Sequence, residues 1–316
     1  MPGSTTRISN AAAPAPRAGP PARRAGAVLL GGAVPLGGAV PLSRTAVAAL
    51  HDRILGWYSL HARDLPWRKP ACSAWGVLVS EIMAQQTPVA RAEPAWREWM
   101  VRWPGPADLA AASPGDVVRA WGRLGYPRRA LRLREAAIAV VERHDGLVPR
   151  DEASLLALPG VGSYTAAAVA AFAYGERAVV VDTNVRRVLT RILLGRAQAA
   201  PVLTRAETAL AASMLPEDDG ECSTWNVAVM ELGALVCTAR SPRCGACPVA
   251  DRCAWNAAGR PPDDGPPRRG QTYEGTDRKV RGDILQLLRE AEKPLGRTAF
   301  EVVDPEPARV DRCLDA

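Results

Sequence analysis

The chain has 316 residues, of which 47% are hydrophobic and 23% charged, a composition typical of a globular protein with one or two cores. Alanine is frequent, and Phe and Tyr are scarce although there are nine Trp, which favours helix over sheet. The composition as a whole excludes collagen, a coiled coil and a disulfide miniprotein. The net charge is +7, but the acid-free first 43 residues contribute four of those positive charges. The remaining excess of about three permits nucleic-acid binding without arguing for it.

Residues 1–43 are predicted to form a disordered tail. They are rich in Ala, Pro and Gly, and the hexapeptide GGAVPL occurs twice in succession, at 31–36 and 37–42. Two arginines precede an apolar stretch of about 15 residues, as in a signal or membrane segment, but two prolines interrupt it and it is too short to span a bilayer. We expect no membrane association.

Helical periodicity dominates from Thr45 to about Gly259. The clearest case is 185–193, where apolar residues recur at three- and four-residue steps with arginines on the opposite face. The only β-like run is 178–181, directly before Asp182. These patterns predict an all-α catalytic region over 44–258.

The last 58 residues divide into a linker and a small segment. Residues 259–276 are rich in Pro, Gly and charge, which predicts a linker. Apolar spacing over 277–316 predicts a partial helix-turn-helix or winged-helix segment. Its amphipathic pattern is unfinished at Ala316, so we expect the segment to continue past that residue.

A turn between two predicted helices carries two glycines, Gly160 and Gly162, in the string Leu-Pro-Gly-Val-Gly. Glycines allow a tight turn and leave bare amides at the start of the following helix, where an anion is favoured. The string fits a phosphate-binding hairpin, and equally an ordinary loop.

Four of the seven cysteines fall within 17 residues, with the spacing C-x6-C-x2-C-x5-C. They are Cys237, Cys244, Cys247 and Cys253. Four thiolates this close can ligate one metal centre, and the chemistry alone leaves zinc and iron–sulfur open. The clustering and the odd total argue against disulfides and indicate a reduced, cytoplasmic compartment.

The chain resembles the helix-hairpin-helix DNA glycosylase superfamily, because Asp182 follows the glycine hairpin by twenty residues. Three further strings, with the cysteine cluster, are similar to adenine-specific mismatch glycosylases over about residues 50–255. These strings are LPWR at 65–68, SEIMAQQT at 80–87 and GRLGY at 122–126.

The resemblance implies a two-lobed, all-α helix-hairpin-helix glycosylase fold. A six-helix lobe would span about 74–177, and a cluster-bearing lobe about 44–73 plus 178–258. It further implies that the four cysteines hold a 4Fe-4S cluster, whose loop is folded against DNA phosphates. The arginines placed for that contact are Arg240, Arg243 and Arg252.

Glu81 and Asp182 are the expected catalytic pair. Breaking the bond between adenine and its sugar needs an acid for the departing base and a negative charge for the cationic sugar. Apolar neighbours around Glu81 would raise its pKa, and a helix start would favour the Asp182 anion. By pattern alone they would be a surface Glu and an N-capping Asp; the resemblance implies a general acid/base and an oxocarbenium stabiliser.

Tyr164 stands where bifunctional relatives such as endonuclease III carry a lysine that attacks the sugar. A phenol cannot form an imine, so we expect a monofunctional enzyme that leaves an abasic site. The structural alternative for Tyr164 is an ordinary core or surface residue.

By resemblance, Gln86, Thr87 and Tyr126 contact the base opposite the adenine, and Asn184 helps to orient the catalytic site. Three more residues would line the adenine pocket, namely Trp67, Arg68 and Glu231. The alternatives are a core aromatic, helix-end polar groups and a solvated helix charge. Pro127 departs from the family, in which a second aromatic residue follows the tyrosine.

The predicted function is excision of adenine paired with 8-oxoguanine or guanine, by a monomer acting on mismatched duplex DNA in the nucleoid. Three alternatives remain: a thymine–guanine mismatch glycosylase, an endonuclease III-like glycosylase/lyase on oxidised pyrimidines, and a non-catalytic DNA-binding iron–sulfur protein. Glu81 argues against the first, and the intact pair of carboxylates against the last. In the family, 8-oxoguanine is recognised largely by a C-terminal domain resembling nucleotide hydrolases, a pattern that 277–316 does not show.

Overall fold

The computed structural model describes residues 42–263, 265 and 273–315. Within these ranges every regular element is a helix, so the all-α prediction is confirmed. The predicted tail lies outside the described residues except for its last two positions, as does part of the predicted linker.

The first eight helices run from the start of the described chain to the predicted hairpin. They are α1 (Arg44–His61), α2 (Ala74–Ala84), α3 (Val89–Arg102), α4 (Pro106–Ala111), α5 (Pro114–Trp121), α6 (Arg128–Arg143), α7 (Glu152–Leu156) and α8 (Ser163–Tyr174). The others are α9 (Thr183–Leu194), α10 (Arg205–Ser213), α11 (Asp219–Leu235), α12 (Ala254–Ala257), α13 (Asp277–Glu290) and α14 (Pro307–Leu314). Of these described helices, none is both long and apolar enough to cross a membrane.

Side-chain caps set where many of the helices begin. Eight Ser, Thr or Asp side chains each accept a hydrogen bond from the amide three residues further on. These caps are Ser43, Ser73, Ser113, Asp151, Asp182, Thr204, Asp218 and Thr276. Each such bond satisfies an otherwise unpaired amide and stabilises its helix by about 1 kcal/mol.

Helices α2 to α8 enclose one hydrophobic core, and tryptophan dominates it. The ring of Trp99 packs edge-on against Trp103 at 4.7 Å and Trp121 at 5.4 Å between centroids. Edge-to-face pairs of this kind add to the stabilisation from buried area. This core accounts for the high tryptophan content.

A second core joins α1 to α9, α11 and α12, so the chain leaves this lobe after α1 and returns to it at α9. Leu50 and Ile54 of α1 pack with Val188 of α9 and Leu232 of α11. The two cores make the two-lobed fold that the resemblance implied.

The β-like run at 178–181 forms no strand. Ala178 and Val180 are buried against small residues of α8, in a third cluster that also includes Ala168 and Ala171. The run carries the chain from the end of α8 to the start of α9 and packs on α8 along the way. It therefore delivers Asp182 to the junction between the lobes.

Helices α13 and α14 have a small core of their own. Val280 and Ile284 of α13 bury their side chains with Phe300, Val310 and Cys313. Two short helices around one apolar cluster agree with the helical pattern of the last segment.

Candidate active site

An open cleft of about 1320 Å³ brings together most of the residues singled out by the sequence. Eleven of the twelve catalytic, base-contacting and hairpin candidates line it: Trp67, Arg68, Glu81, Gln86, Thr87, Gly160, Gly162, Tyr164, Asp182, Asn184 and Glu231. The twelfth, Tyr126, lies on an adjacent loop.

Glu81 lies near the end of α2, on a helix that is otherwise almost wholly buried. Burial raises the pKa of Glu81 to about 7, and the negative charge of Asp182 acts in the same direction. The Tyr164 hydroxyl donates a 2.8 Å hydrogen bond to Glu81 Oε2. This bond lowers the pKa of Glu81 but offsets only part of the increase. Glu81 is therefore able to hold a proton at a pH where an exposed glutamate is fully ionised.

Tyr164 lies in the first turn of α8, close enough to Glu81 and Asp182 for both of their charges to act on its hydroxyl. Burial raises the pKa of its hydroxyl well above the usual value, and the charges of Glu81 and Asp182 raise it further. The phenol therefore stays protonated and acts as a hydrogen-bond donor to Glu81.

Asp182 is the N-cap of α9, as the simpler alternative proposed, and it also faces the cleft. Its Oδ1 accepts from the Val185 amide at 2.7 Å, and its Oδ2 accepts from Asn184 Nδ2 at 2.6 Å. Burial raises the pKa of Asp182 above its usual value, and these two hydrogen bonds offset this only in part. The hydrogen bonds at the helix start thus favour the Asp182 anion, as expected, while burial, which the sequence does not show, raises the net pKa.

Arg187 connects Asp182 with the cysteine-rich loop. Its Nη2 donates to Asn184 Oδ1 at 2.7 Å, and its Nε donates to the carbonyl of Cys237 at 2.7 Å. Nη2 also donates to the carbonyl of Gly233 at 2.8 Å. A Cβ at Gly233 would lie 2.6 Å from Asn184 Cβ, so only glycine lets α11 pass this close to Asn184.

Glu231 is buried in α11 beneath two arginines. Oε1 accepts from Arg63 Nε at 2.8 Å, and Oε2 accepts from Arg63 Nη2 at 2.6 Å and Arg68 Nη2 at 2.9 Å. Burial alone would raise the pKa of Glu231, but the hydrogen bonds from Arg63 and Arg68 outweigh it and lower the pKa to about 2. Both carboxylate oxygens of Glu231 are thus hydrogen-bonded within the protein. Of the three residues, only Arg63 and Arg68 are partly exposed.

Trp67 and Arg68 follow one another in a short 3-10 turn, Pro66–Arg68. The indole of Trp67 packs edge-on against Trp96 with 5.7 Å between centroids, which fixes its position at the cleft. Arg68 Nη1 is buried and has no hydrogen-bond partner among the described residues. A buried donor of this kind is costly unless a ligand accepts from it.

The hairpin between α7 and α8 uses its two glycines differently. Gly160 has φ of 76°, and a Cβ there would lie 2.8 Å from Arg132 Cβ, so both conformation and space require glycine. Gly162 has an ordinary extended backbone and begins α8 without a side-chain cap. The first amides of α8 thus have no side-chain cap, an arrangement that anion-binding helix starts also have.

Gln86 and Tyr126 both have backbone φ in the left-handed region, 53° and 49°, which is uncommon outside glycine. Arg129 holds both turns: it donates to the carbonyls of Ile82 at 2.9 Å and Gly125 at 3.0 Å. The Thr87 hydroxyl is occupied by the Leu124 carbonyl at 3.2 Å.

These contacts give the three predicted opposite-base residues different degrees of access. Gln86 is exposed to solvent, and 47% of the surface of Tyr126 is also exposed, whereas Thr87 is buried. Thr87 thus joins two turns of the protein, and the side chains that remain accessible are those of Gln86 and Tyr126.

The four clustered cysteines line one small cavity between α9, α11 and the following loop. All four are free thiols, and the cavity is closed by apolar side chains such as Val188 and Trp255. Arg191 is buried beside it and donates to Cys237 Sγ at 3.4 Å. Four thiols around one cation-flanked cavity fit an iron–sulfur cluster, which is anionic and thiolate-ligated.

Three arginines of this site were not singled out by the sequence: Arg63, Arg129 and Arg187. Their partners come from distant parts of the chain, such as Glu231 for Arg63 and Cys237 for Arg187. Only proximity to the strings at 65–68 and 122–126, and to Asp182, could have pointed to them.

Comparison with known proteins agrees with this geometry. Residues 79–212 match the family described as "HhH-GPD superfamily base excision DNA repair protein", and 237–253 match the "Iron-sulfur binding domain of endonuclease III". The chain is 53% identical to an adenine DNA glycosylase of Mycobacterium tuberculosis over 264 residues, which are 83% of this chain and 86% of that protein. It is 42% identical to the human adenine DNA glycosylase over 66% of this chain and 39% of that one.

A solved structure has the same architecture. A thermostable thymine-DNA glycosylase superposes with a TM-score of 0.61 and 27% identity, covering 68% of this chain and 98% of that chain.

Proposed function

Because the chain belongs to the adenine DNA glycosylases, 4Fe-4S enzymes of base excision repair that hydrolyse N-glycosyl bonds, we propose that it excises adenine paired with 8-oxoguanine or guanine and leaves an abasic site. One observation carries the proposal: Glu81, Tyr164 and Asp182 meet in a single open cleft, with the pKa of Glu81 near 7.

Glu81 is the proposed general acid and base. Its protonated carboxyl gives the proton to a ring nitrogen of adenine as the glycosidic bond breaks, and the bonding electron pair leaves with the base. The resulting carboxylate then accepts a proton from the water that adds to the sugar carbon. The cycle restores protonated Glu81 and consumes one water.

Asp182 is the proposed stabiliser of the cationic sugar. Two donors, the Val185 amide and Asn184 Nδ2, hold its oxygens in place, so no reorganisation is needed when charge develops. Asn184 is in turn held by Arg187. Position 164 is occupied by Tyr164 rather than by a lysine whose amine could attack the sugar. This supports a monofunctional reaction.

The adenine pocket is proposed to consist of Trp67 and Arg68. The indole offers a flat apolar wall, and the unpartnered Nη1 of Arg68 offers a donor to a ring nitrogen of the base. Glu231 acts through Arg68: it fixes the guanidinium from below.

Duplex DNA is held and opened by groups on both sides of the cleft. We assign the amides after Gly162 to a backbone phosphate, and Gln86 with Tyr126 to the base left behind when adenine rotates out. Thr87 supports Gln86 from within the protein.

The cluster is assigned to Cys237, Cys244, Cys247 and Cys253. When bound, it supplies a fixed, folded loop rather than a reacting group. Arg240, Arg243 and Arg252 are exposed on that loop, where they suit contacts with DNA phosphates. We further propose that the enzyme acts as a monomer, at the nucleoid in the cytoplasm, where thiols stay reduced.

The test is base release from purified holoprotein on duplexes with A·8-oxoguanine, A·G, T·G or thymine glycol, with and without hot alkali. Adenine release that needs alkali for strand scission is expected. Asp182→Asn should bind the same duplex without releasing adenine. Scission without alkali, release of thymine alone, or full activity of Asp182→Asn would each contradict the proposal.

A further inference from the structure

Helix α13 of the last segment packs beside the loop that carries Tyr126. The guanidinium carbon of Arg278 lies 5.2 Å from the centroid of the Tyr126 ring, and that of Arg129 lies 5.6 Å from the same ring. The exposed ring of Tyr126 therefore has a cation on it from each of two helices, and the two arginines are 149 positions apart in the chain. We name residues 122–126 the Tyr126 loop.

A second pair of cations meets further along the same helix. Arg289, three turns after Arg278, is close enough to Arg123 of the Tyr126 loop for the two charges to interact. Burial, and next the Arg123 charge, lower the pKa of Arg289, and its Nε is buried without a partner among the described residues. Like charges are thus brought together along the junction between α13 and the loop.

No carboxylate of the described residues compensates these charges. Arg129 donates only to carbonyl oxygens and the Thr87 hydroxyl. Neither Arg278 nor Arg289 forms an ion pair within the described chain. An uncompensated, partly desolvated group of cations is unfavourable in the free protein and favourable against a polyanion.

The rest of the last segment is different in this respect. Arg297, Arg309 and Arg312 all form ion pairs with acids of the same segment. Helix α14 is therefore neutralised from within, whereas Arg278 and Arg289 of α13, which form no ion pair among the described residues, lie beside the Tyr126 loop. The contrast favours the junction between α13 and the Tyr126 loop, rather than α14, as the place for an anionic ligand.

We propose that α13 and the Tyr126 loop form one DNA-binding surface, in which Arg278 and Arg123 contact phosphates of the strand opposite the excised adenine. This rests on the proposed function for the choice of strand, since the cleft would hold the nucleotide of the other strand. Each strand presents a phosphate every 3.4 Å of axis, so a strand touching Tyr126 brings phosphates to Arg278. The last segment is thus part of the substrate site.

The experiment measures binding of a 3′-labelled A·8-oxoguanine duplex by fluorescence anisotropy at 50–300 mM salt. The protein carries Asp182→Asn, which prevents turnover. Arg278→Ala should weaken binding by about tenfold at 100 mM salt and reduce the salt slope by about one. Arg278→Lys should bind with intermediate affinity, because it keeps the charge.

Arg297→Ala is the matched control, since it removes one arginine of the same segment that is already neutralised by Asp311 and Asp315. Its affinity should stay within about twofold of the parent, as expected for an exposed ion pair. Unchanged affinity in Arg278→Ala, or an equal loss in Arg297→Ala, would overturn the proposal.

Neutral methylphosphonate linkages identify the strand. Placed beside the 8-oxoguanine, they should weaken the parent but have little further effect on Arg278→Ala. The same linkages beside the adenine should weaken both proteins equally. Coupling of Arg278 to the adenine strand instead would overturn the assignment.

Single-turnover adenine release separates this surface from the chemistry. With Asp182 intact and the protein below saturation, Arg278→Ala should release adenine about tenfold more slowly than wild type, in step with its weaker binding, and Arg297→Ala should keep the wild-type rate. A wild-type rate in Arg278→Ala under these conditions would contradict a phosphate contact. If wild-type protein released no adenine while Arg278→Ala still weakened binding, the proposed function would fail and this surface would stand.

Discussion

Two glutamates on either side of one cleft, Glu231 buried and Glu81 half-buried, have opposite acidities. The pKa of Glu81, in the helix α2 wall, is raised to about 7, and that of Glu231, in the helix α11 wall, is lowered to about 2. Burial pushes both upward; the difference is that Glu231 has two arginines and Glu81 has one phenol. Partners rather than depth therefore decide which glutamate can give up a proton at neutral pH.

The comparison also separates chemistry from architecture. Glu81 has an exchangeable proton and an open face, which a catalytic acid requires. Glu231 is permanently charged and holds Arg63 and Arg68 in place. The following predictions exchange or remove these properties.

The largest expected effect is on chemistry at Glu81. Glu81→Gln removes the proton donor and should slow single-turnover adenine release by about 10³-fold, within the range for general acid catalysis. Binding of the mismatched duplex should change little. Glu93→Gln, on the partly exposed pair with Arg97, serves as control and should leave the rate unaltered. A similar loss in both variants, or none in Glu81→Gln, would remove Glu81 from the acid role.

Substitution of Glu231 and of Glu81 by Gln should change the free energy of unfolding in opposite directions. Glu231→Gln leaves two arginines without their anion, and we expect it to lower the free energy of unfolding at pH 7 by about 3 kcal/mol. The contribution of Glu231 is present above its unfolded pKa of about 4.3 and is lost as pH falls toward 2, so the gap to wild type should narrow in acid.

Glu81 has the opposite linkage, because its pKa is raised on folding. Its contribution is complete below about pH 4.3 and is lost as pH rises through 7. Glu81→Gln should therefore be more stable than wild type at pH 8, by roughly 2–3 kcal/mol. Urea midpoints of the holoproteins at pH 8, 7 and 4.5 measure both effects, and shifts of the same sign at pH 8 would refute the comparison.

The smallest effect is expected for the partner of Glu81. Adenine release should fall tenfold per pH unit above about pH 7, as Glu81 loses its proton. Tyr164→Phe removes a hydrogen bond that lowers this pKa, so the falling limb should move to higher pH. The pH dependence of single-turnover rates measures the shift. A limb that moves to lower pH would show that the phenol stabilises the acid form instead.

Much of the fold could be predicted from local patterns. Helix periods, the glycine hairpin and side-chain caps such as Ser43 and Asp182 act over a few residues, so they are legible in the sequence. The apolar setting of Glu81 within α2 is of the same kind. Its raised pKa was predicted for that reason.

The long-range contacts could not be predicted. Arg63 meets Glu231 across 168 positions, and Arg187 meets Cys237 across 50. Thr87 looked like an accessible polar residue and is instead buried on the Leu124 carbonyl. For Asp182 the sequence shows the helix start, which favours the anion, but not the burial that raises its pKa.

By itself, the sequence determined which chemical groups this enzyme possesses: an acid in an apolar helix, a capping aspartate, a phenol in place of an amine, and four clustered thiols. Only the tertiary structure decided which of them meet, which carboxylates are charged, and that the last segment brings Arg278 to Tyr126. The physical reason is that propensities and caps depend on neighbours along the chain, whereas electrostatic energies depend on distance and burial in space.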